Sequence, residues 1–238
     1  MAARTHSKLP PGTPVSILCI ADEVDALVYS QNVKERFGHV SLVLAAGDIK
    51  MKYLGFISSM LNKTIYFVFG NHDLKFYHHF RKDSEDTYSE YSQRDFERNY
   101  FGSTYVGDKV LRDRKTGLII AGLGGSMRYS TGINQYSDYQ MYRKVLKLIP
   151  KMLYYRVFYG RWVDILLTHA PPFGIHDQPD RCHTGFRAFL WFMRKFRPQF
   201  LLHGHVHLHD INSPRESAYH DTRIINVYSR YVLEVTSR

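Results

Sequence analysis

Thr64-Ile65-Tyr66-Phe67-Val68-Phe69-Gly70-Asn71-His72-Asp73 is the stretch on which the reading of this chain turns. A short run of β-branched and aromatic residues breaks at a glycine and empties into a polar cluster, as a buried strand does at its end. Two earlier stretches repeat the form. Val15 to Ala21 ends at Asp22-Glu23-Val24-Asp25, and Val40 to Ala46 ends at Gly47-Asp48. Helical patterns fit between them, around residues 28–37 and 52–62. Strand alternating with helix argues for βαβ units and a parallel sheet. Polar clusters then gather just past the carboxyl ends of the strands, where open α/β sheets place their sites.

Further along, Val110–Arg112 and Leu118–Ala121 flank Asp113-Arg114-Lys115-Thr116-Gly117, a hairpin signal. The loop Gly122-Leu123-Gly124-Gly125-Ser126 lacks the Lys-Ser/Thr of a phosphate-binding P-loop and the full dinucleotide fingerprint, which argues against a nucleotide cofactor. From Asp138 to about Tyr159, Met141, Val145, Leu148, Met152, Tyr155 and Tyr159 recur by three and four and predict a helix, with a kink or break at Pro150. A strand over Val163–Thr168, a helix around Gly185–Phe196, a strand ending at His203 and closing strands complete the chain. Residues 75–101 are rich in charge and Tyr/Phe but poor in Leu, Ile and Val, and read as a polar, lid-like excursion. The division expected is a lead-in over 1–14 and one domain over 15–238, with a basic helical segment over 138–159.

The residue types that bind metals fall at strand ends: Asp22; Asp48; Asn71 and His72; His169 after Thr168; and Gly204-His205-Val206-His207. Each tetrapeptide alone is weak evidence, but their order and placement make a strong pattern. It resembles the calcineurin-like metallophosphoesterase superfamily, whose motifs read Asp-x-His, Gly-Asp, Gly-Asn-His-Asp/Glu, a later His, and Gly-His-x-His, and the resemblance spans about Val15 to Val235. It implies an α/β fold of two stacked mixed β-sheets flanked by helices, a four-layer sandwich with two metal ions at one edge. It further implies that Asp48 bridges the metals, that Asn71, His169 and His205 complete one site, that Asp22 and His207 serve the other, and that His72 is the acid facing the leaving group. The implied activity is a phosphoester hydrolase (phosphodiesterase, pyrophosphatase or phosphatase) working through a bridging water.

The chemistry suits these residue types. A dinuclear site needs an anionic bridge, which a carboxylate supplies, and mixed O/N donors suit Mn²⁺, with Fe, Ni²⁺, Zn²⁺ and Mg²⁺ as alternatives. Two ions about 3.5–4 Å apart clamp a phosphoryl group, and a histidine near neutral pKa protonates the leaving alkoxide. One position departs from the pattern: Val24 stands where the first motif has histidine. The first site loses a nitrogen donor and is expected to be weaker and more exchangeable, unless Glu23 or Asp25 replaces it. The rival reading is a degenerate member that uses the fold as a binding module.

Other residues carry two readings each. Arg128, with Asn71, is a candidate substrate contact, and equally a surface arginine. His203 and His209 extend the His205/His207 alternation and fit a supporting or surface role. Cys182-His183 lacks zinc-finger spacing and reads as a loop near the substrate mouth. Two cysteines among 238 residues make no disulfide framework and fit a reducing compartment.

The net charge is +10, and residues 139–197 hold 11 basic against three acidic residues, a difference of +8. Basic residues interleave with aromatics such as Phe186, Phe189, Trp191, Phe192 and Phe196. This fits peripheral contact with an anionic membrane surface, or, with less support since no reader motif is present, nucleic acid; the alternative is a solvated basic face over a packed aromatic core. The opening residues show no apolar signal segment, so the expected location is cytoplasmic, peripheral to membrane if the basic lobe docks there. The sequence leaves the substrate and the oligomeric state open.

Overall fold

Residues alternate in and out along three neighbouring strands, and that alternation builds the layers. The computed structural model describes residues 8–72, 74–80, 102–208 and 214–238. β1 (Pro14–Ala21), β2 (Leu42–Ala45), β3 (Thr64–Phe67) and β4 (Ser103–Tyr105) run parallel, and β13 (Ser229–Thr236) pairs antiparallel along β1. The second sheet takes the order β11 (Glu216–Tyr219), β12 (Thr222–Asn226), β10 (Phe200–His203), β9 (Ile165–Thr168), β6 (Ile119–Leu123) and β5 (Lys109–Arg112). Its centre, β12-β10-β9-β6, is parallel, and each edge is an antiparallel pair. A two-stranded ribbon, β7 (Ser126–Met127) with β8 (Gln135–Tyr136), stands apart.

Ile17, Cys19, Leu42, Leu44 and Tyr66 of the first sheet meet Ile120, Ile165, Leu167, Leu202 and Ile225 of the second in a dry layer. The opposite faces carry Leu18, Ile20, Val43 and Phe67 against α1 (Val33–Phe37) and α2 (Met51–Leu61). On the far side Ile119, Leu166, Leu201 and Ile224 pack against α3 (Asp138–Tyr159) and α4 (Arg187–Phe196). Period-two burial on both faces thus yields helix, sheet, sheet, helix. The expected two-sheet sandwich is the fold observed.

Two expectations are corrected. α3 runs unbroken through Pro150, because the carbonyl that loses its donor belongs to Leu146 on the solvent side of the helix, within reach of water. A Ser137–Gln140 capping box starts α3, and Gly160, with φ near 74°, stops it. The start of the lid-like excursion is core rather than surface: Leu74–Phe80 forms a 3₁₀ turn that buries Tyr77 and Phe80 against Phe67, Phe69 and Tyr105. Residues 81–101 lie outside the described residues. For α4 the reading of a basic face over a packed aromatic core holds: Phe189, Phe192 and Phe196 are buried.

One buried carboxylate pins the two sheets together. Asp113, in the turn between β5 and β6, accepts from the Tyr66 hydroxyl of β3 at 2.9 Å. Its other oxygen accepts from the Thr116 amide and hydroxyl at 2.6 and 2.7 Å. Asp113→Ala strips these bonds and leaves buried donors unpaired, so it is expected to lower unfolding stability by about 2–4 kcal/mol, measured by urea denaturation.

Candidate metal centre

The carboxyl ends of β1, β2, β3, β9 and β10 open on one edge of the sandwich, and each delivers a polar residue there. Asp22 follows β1, Asp48 lies beyond β2, Asn71 beyond β3, His169 follows β9, and His205 lies two residues past β10. Asp22, Asp48 and His205 adopt φ of 64°, 52° and 69°, in the left-handed region that L-residues enter at a cost. These turns aim side chains back across the strand ends. Glycine supplies the close approaches: a Cβ on Gly70 would lie 2.1 Å from Asp48 Oδ1, and one on Gly204 2.4 Å from Asp22 Oδ2.

His169 is the hub. It is wholly buried, and its Nδ1 lies 2.9 Å from the Ala46 carbonyl, which can only accept, so Nδ1 carries the proton. Its Nε2 then presents a lone pair, yet it faces Asp48 Oδ2 at 3.2 Å and Asn71 Oδ1 at 3.1 Å, both acceptors. Asn71 is held this way round because its Nδ2 donates to the Tyr129 hydroxyl at 3.1 Å. His205 repeats the logic: its Nε2 donates to the Cys182 carbonyl at 2.7 Å, leaving Nδ1 as a lone-pair donor. Among the described residues, ligand atoms of Asp48, His169 and His205 come within 4.8 Å of one another. These atoms share one positive charge, either a proton on Nε2 or a cation in its place, and the set fits a divalent metal with mixed O/N ligation.

The electrostatics agree. Burial opposes charge on His169, but the Asp48 carboxylate and its bond outweigh it and lift the imidazole to about 9. Burial also opposes the Asp48 anion, yet His169 and the His72 amide, which donates at 2.8 Å, bring it down to about 2. Asp22 accepts the His205 amide on both oxygens at 3.0 Å, but burial and the nearby Asp48 raise it to about 7. Burial and the His169 charge hold His205 down near 3, neutral and ready to ligate. Without a metal, a proton on His169 supplies the missing positive charge.

The remaining expected residues are placed unevenly. The exposed His72 sits at the mouth and anchors its amide on Asp48. His207 is exposed and lies beside the Tyr228 ring, 4.8 Å between centroids, outside the group around His169. Glu23 bonds the Tyr228 hydroxyl, which places it on the same side as His207. Asp25 is taken up elsewhere, accepting from Leu27 and Val28 amides, Ser229 and Arg230. Val24 is 41% exposed. The Arg128 guanidinium donates to Gln140 at 3.0 Å, at the start of α3. β10 ends at His203 as expected, and His203 is buried against His176, 3.0 Å between ring nitrogens. His209 lies outside the described residues.

Three contributors escaped the sequence reading. Tyr129 orients Asn71. Asn134 donates to the Phe69 and Gly70 carbonyls at 3.2 and 2.6 Å and so props the Gly70–His72 turn. The Cys182 carbonyl fixes the tautomer of His205, and it is presented by a turn in which Asp180 accepts the Cys182 and His183 amides, both at 3.1 Å. No motif marks a main-chain carbonyl, and Tyr129 and Asn134 sit in a loop whose glycines were its one visible feature.

With the geometry in place, comparison with known proteins gives the class. Residues 15–209 match the calcineurin-like phosphoesterase family, and the chain belongs to it. This is a family of phosphoester hydrolases that bind divalent metals. The protein TT1561 of Thermus thermophilus shares the fold, with a TM-score of 0.57 at 10% identity over 95% of this chain and 100% of that one. A second solved structure gives 0.59 at 12% identity over the same shares. At such identities the likeness shows the fold alone. No curated protein matches the chain in sequence.

The charge state of His169 sets a pH dependence. Its pKa of about 9 stands above the ordinary 6.5, so below pH 9 a cation must displace a proton to bind. Between the pKa of Asp22, about 7, and that of His169, binding should release about one proton per chain, and affinity should rise about tenfold per pH unit. Above pH 9 the rise should flatten. Calorimetric titration of metal-free protein with Mn²⁺, in buffers of different ionisation enthalpy, measures both.

Proposed function

We propose that this chain is a metal-dependent phosphoester hydrolase whose firm cation site is formed by Asp48, Asn71, His169 and His205. The observation that carries the reading is the convergence of His169 Nε2 with the Asp48 and Asn71 oxygens at 3.2 and 3.1 Å, with His205 beside them. A second, weaker site falls to Asp22, Asp48 and His207, with Glu23 as the replacement for the absent histidine, since Glu23 and His207 both touch Tyr228. Mn²⁺ is the first metal to try. Bound divalent cations supply Lewis acidity toward phosphoryl oxygens and make water a stronger nucleophile near neutral pH.

The chain's own groups do the rest. Asp48 holds the His72 backbone, so the His72 ring projects from the rim of the centre. There it stands where a leaving oxygen departs and can deliver a proton to it. Asn71, fixed by Tyr129, keeps its carbonyl oxygen inward and an amide edge toward the mouth. Arg128 remains a candidate phosphate contact only if substrate draws it from Gln140.

Two variants separate metal holding from proton transfer. Asp48→Asn is expected to lose bound metal and all turnover of bis-p-nitrophenyl phosphate. His72→Ala should keep its metal by elemental analysis while kcat falls roughly 10²–10⁴-fold. Full metal in the wild-type protein, with no hydrolysis across diesters, monoesters and pyrophosphates, would overturn the hydrolase reading in favour of a binding module.

The weak site has its own test. After dialysis, wild-type protein is expected to retain one metal firmly and a second loosely. Glu23→Ala should remove the loose one alone. Asp25→Ala should leave stoichiometry unchanged and lower the melting temperature, because its partners Arg230 and Ser229 lie in β13.

A further inference from the structure

The outer face of α3 is built unlike the rest of the surface. Its inner stripe, Met141, Val145, Leu148, Met152 and Tyr155, is spent on the core. A second apolar stripe runs down the outside: Leu146, Leu153 and Val157 recur by seven and four. At about 100° per residue they lie roughly 140° round the helix from the buried stripe. Val157 and Phe158 are 68% and 67% exposed, Leu146 51% and Leu153 49%. Arg143, Lys147 and Lys151 follow one edge of this stripe at four-residue spacing, and Lys151 lies over the Tyr154 ring at 4.7 Å. The helix carries five basic residues against one acidic residue, Asp138.

We infer that the outer face of α3 docks on an anionic lipid surface, with Leu146, Leu153 and Val157 entering the headgroup boundary and the flanking cations pairing with lipid phosphates. Charge decides the occupant. A second copy of this chain would set the same cations face to face on a molecule of net charge +10. Nucleic acid offers phosphates to the cations but nothing to an aliphatic stripe. A bilayer with anionic headgroups satisfies both at once: long basic side chains extend to the phosphates while apolar tips are buried between acyl chains. No described helix is long and apolar enough to cross a membrane, so contact through α3 is in-plane. The face is confined to α3, because Phe189, Phe192 and Phe196 of α4 are internal and Trp191 packs against Phe196. This inference is independent of the hydrolase reading, and its readout is binding.

The test is sedimentation of the full chain with vesicles of phosphatidylcholine alone or with about 30 mol % phosphatidylglycerol, at about 0.05 and 0.5 M salt. The expected result is binding to the anionic vesicles alone, released by salt. The double variant Leu153→Ser/Val157→Ser keeps every charge and changes only exposed positions. It should bind about tenfold more weakly, with an unchanged circular dichroism melt. Lys147→Gln/Lys151→Gln should weaken binding and flatten its salt dependence. Failure to bind anionic vesicles at low salt overturns the inference, as does equal binding to both compositions. Undiminished binding by the serine variant overturns insertion of the stripe. Tighter binding to a duplex oligonucleotide that displaces the vesicles would assign the face to nucleic acid instead.

Discussion

His169 hangs from β9 of the second sheet, but its partners Ala46, Asp48 and Asn71 all belong to the first. That crossing is the constraint around which the rest is arranged. It requires the two sheets to stack with their carboxyl ends at one edge, in a fixed register, with little room for error. The dry layer between the sheets and the Asp113–Tyr66 bond hold that register. The left-handed turns at Asp22, Asp48 and His205, and the bare glycines beside them, let the side chains meet at hydrogen-bond distance. The cost of those turns lies in the backbone, and it is offset by packing far from the site.

The candidate centre is arranged as a site held open for a cation would be. Two carboxylates and two imidazoles buried together repel and attract in ways that no arrangement of neutral donors resolves. Main-chain carbonyls of Ala46 and Cys182 choose the tautomers of His169 and His205, and in each case the nitrogen left over is the one that can ligate. The selection is made by groups that every residue possesses, which is why the supporting shell leaves so faint a mark in the sequence.

Fold and ligand types were legible because each rests on a local signal: strand runs of four to eight residues, each closed by a short polar motif. The sandwich follows from period-two burial, and Asp48, Asn71, His169 and His205 follow from strand-end position. What sequence could not convey is side-chain commitment. Asp25 and Glu23 look alike as spare carboxylates, but only the structure gives Asp25 to Arg230 and Ser229. The aromatics of α3 and α4 look alike as well, and the three-dimensional packing sends one set inward and leaves part of the other exposed. Tyr77 and Phe80 misled in the opposite direction: a stretch poor in Leu, Ile and Val buries itself with aromatic rings instead.

The donors of the centre are spread from Asp22 to His205, and the strands that bring them together pair across long intervening segments. In folding terms, the candidate ligand set is complete only when β10 has docked beside β9 and brought His205 to the others. Metal therefore stabilises a structure that is already complete. A cation that binds only the complete fold stabilises it by mass action, and slows unfolding to the extent that its site is absent from the transition state.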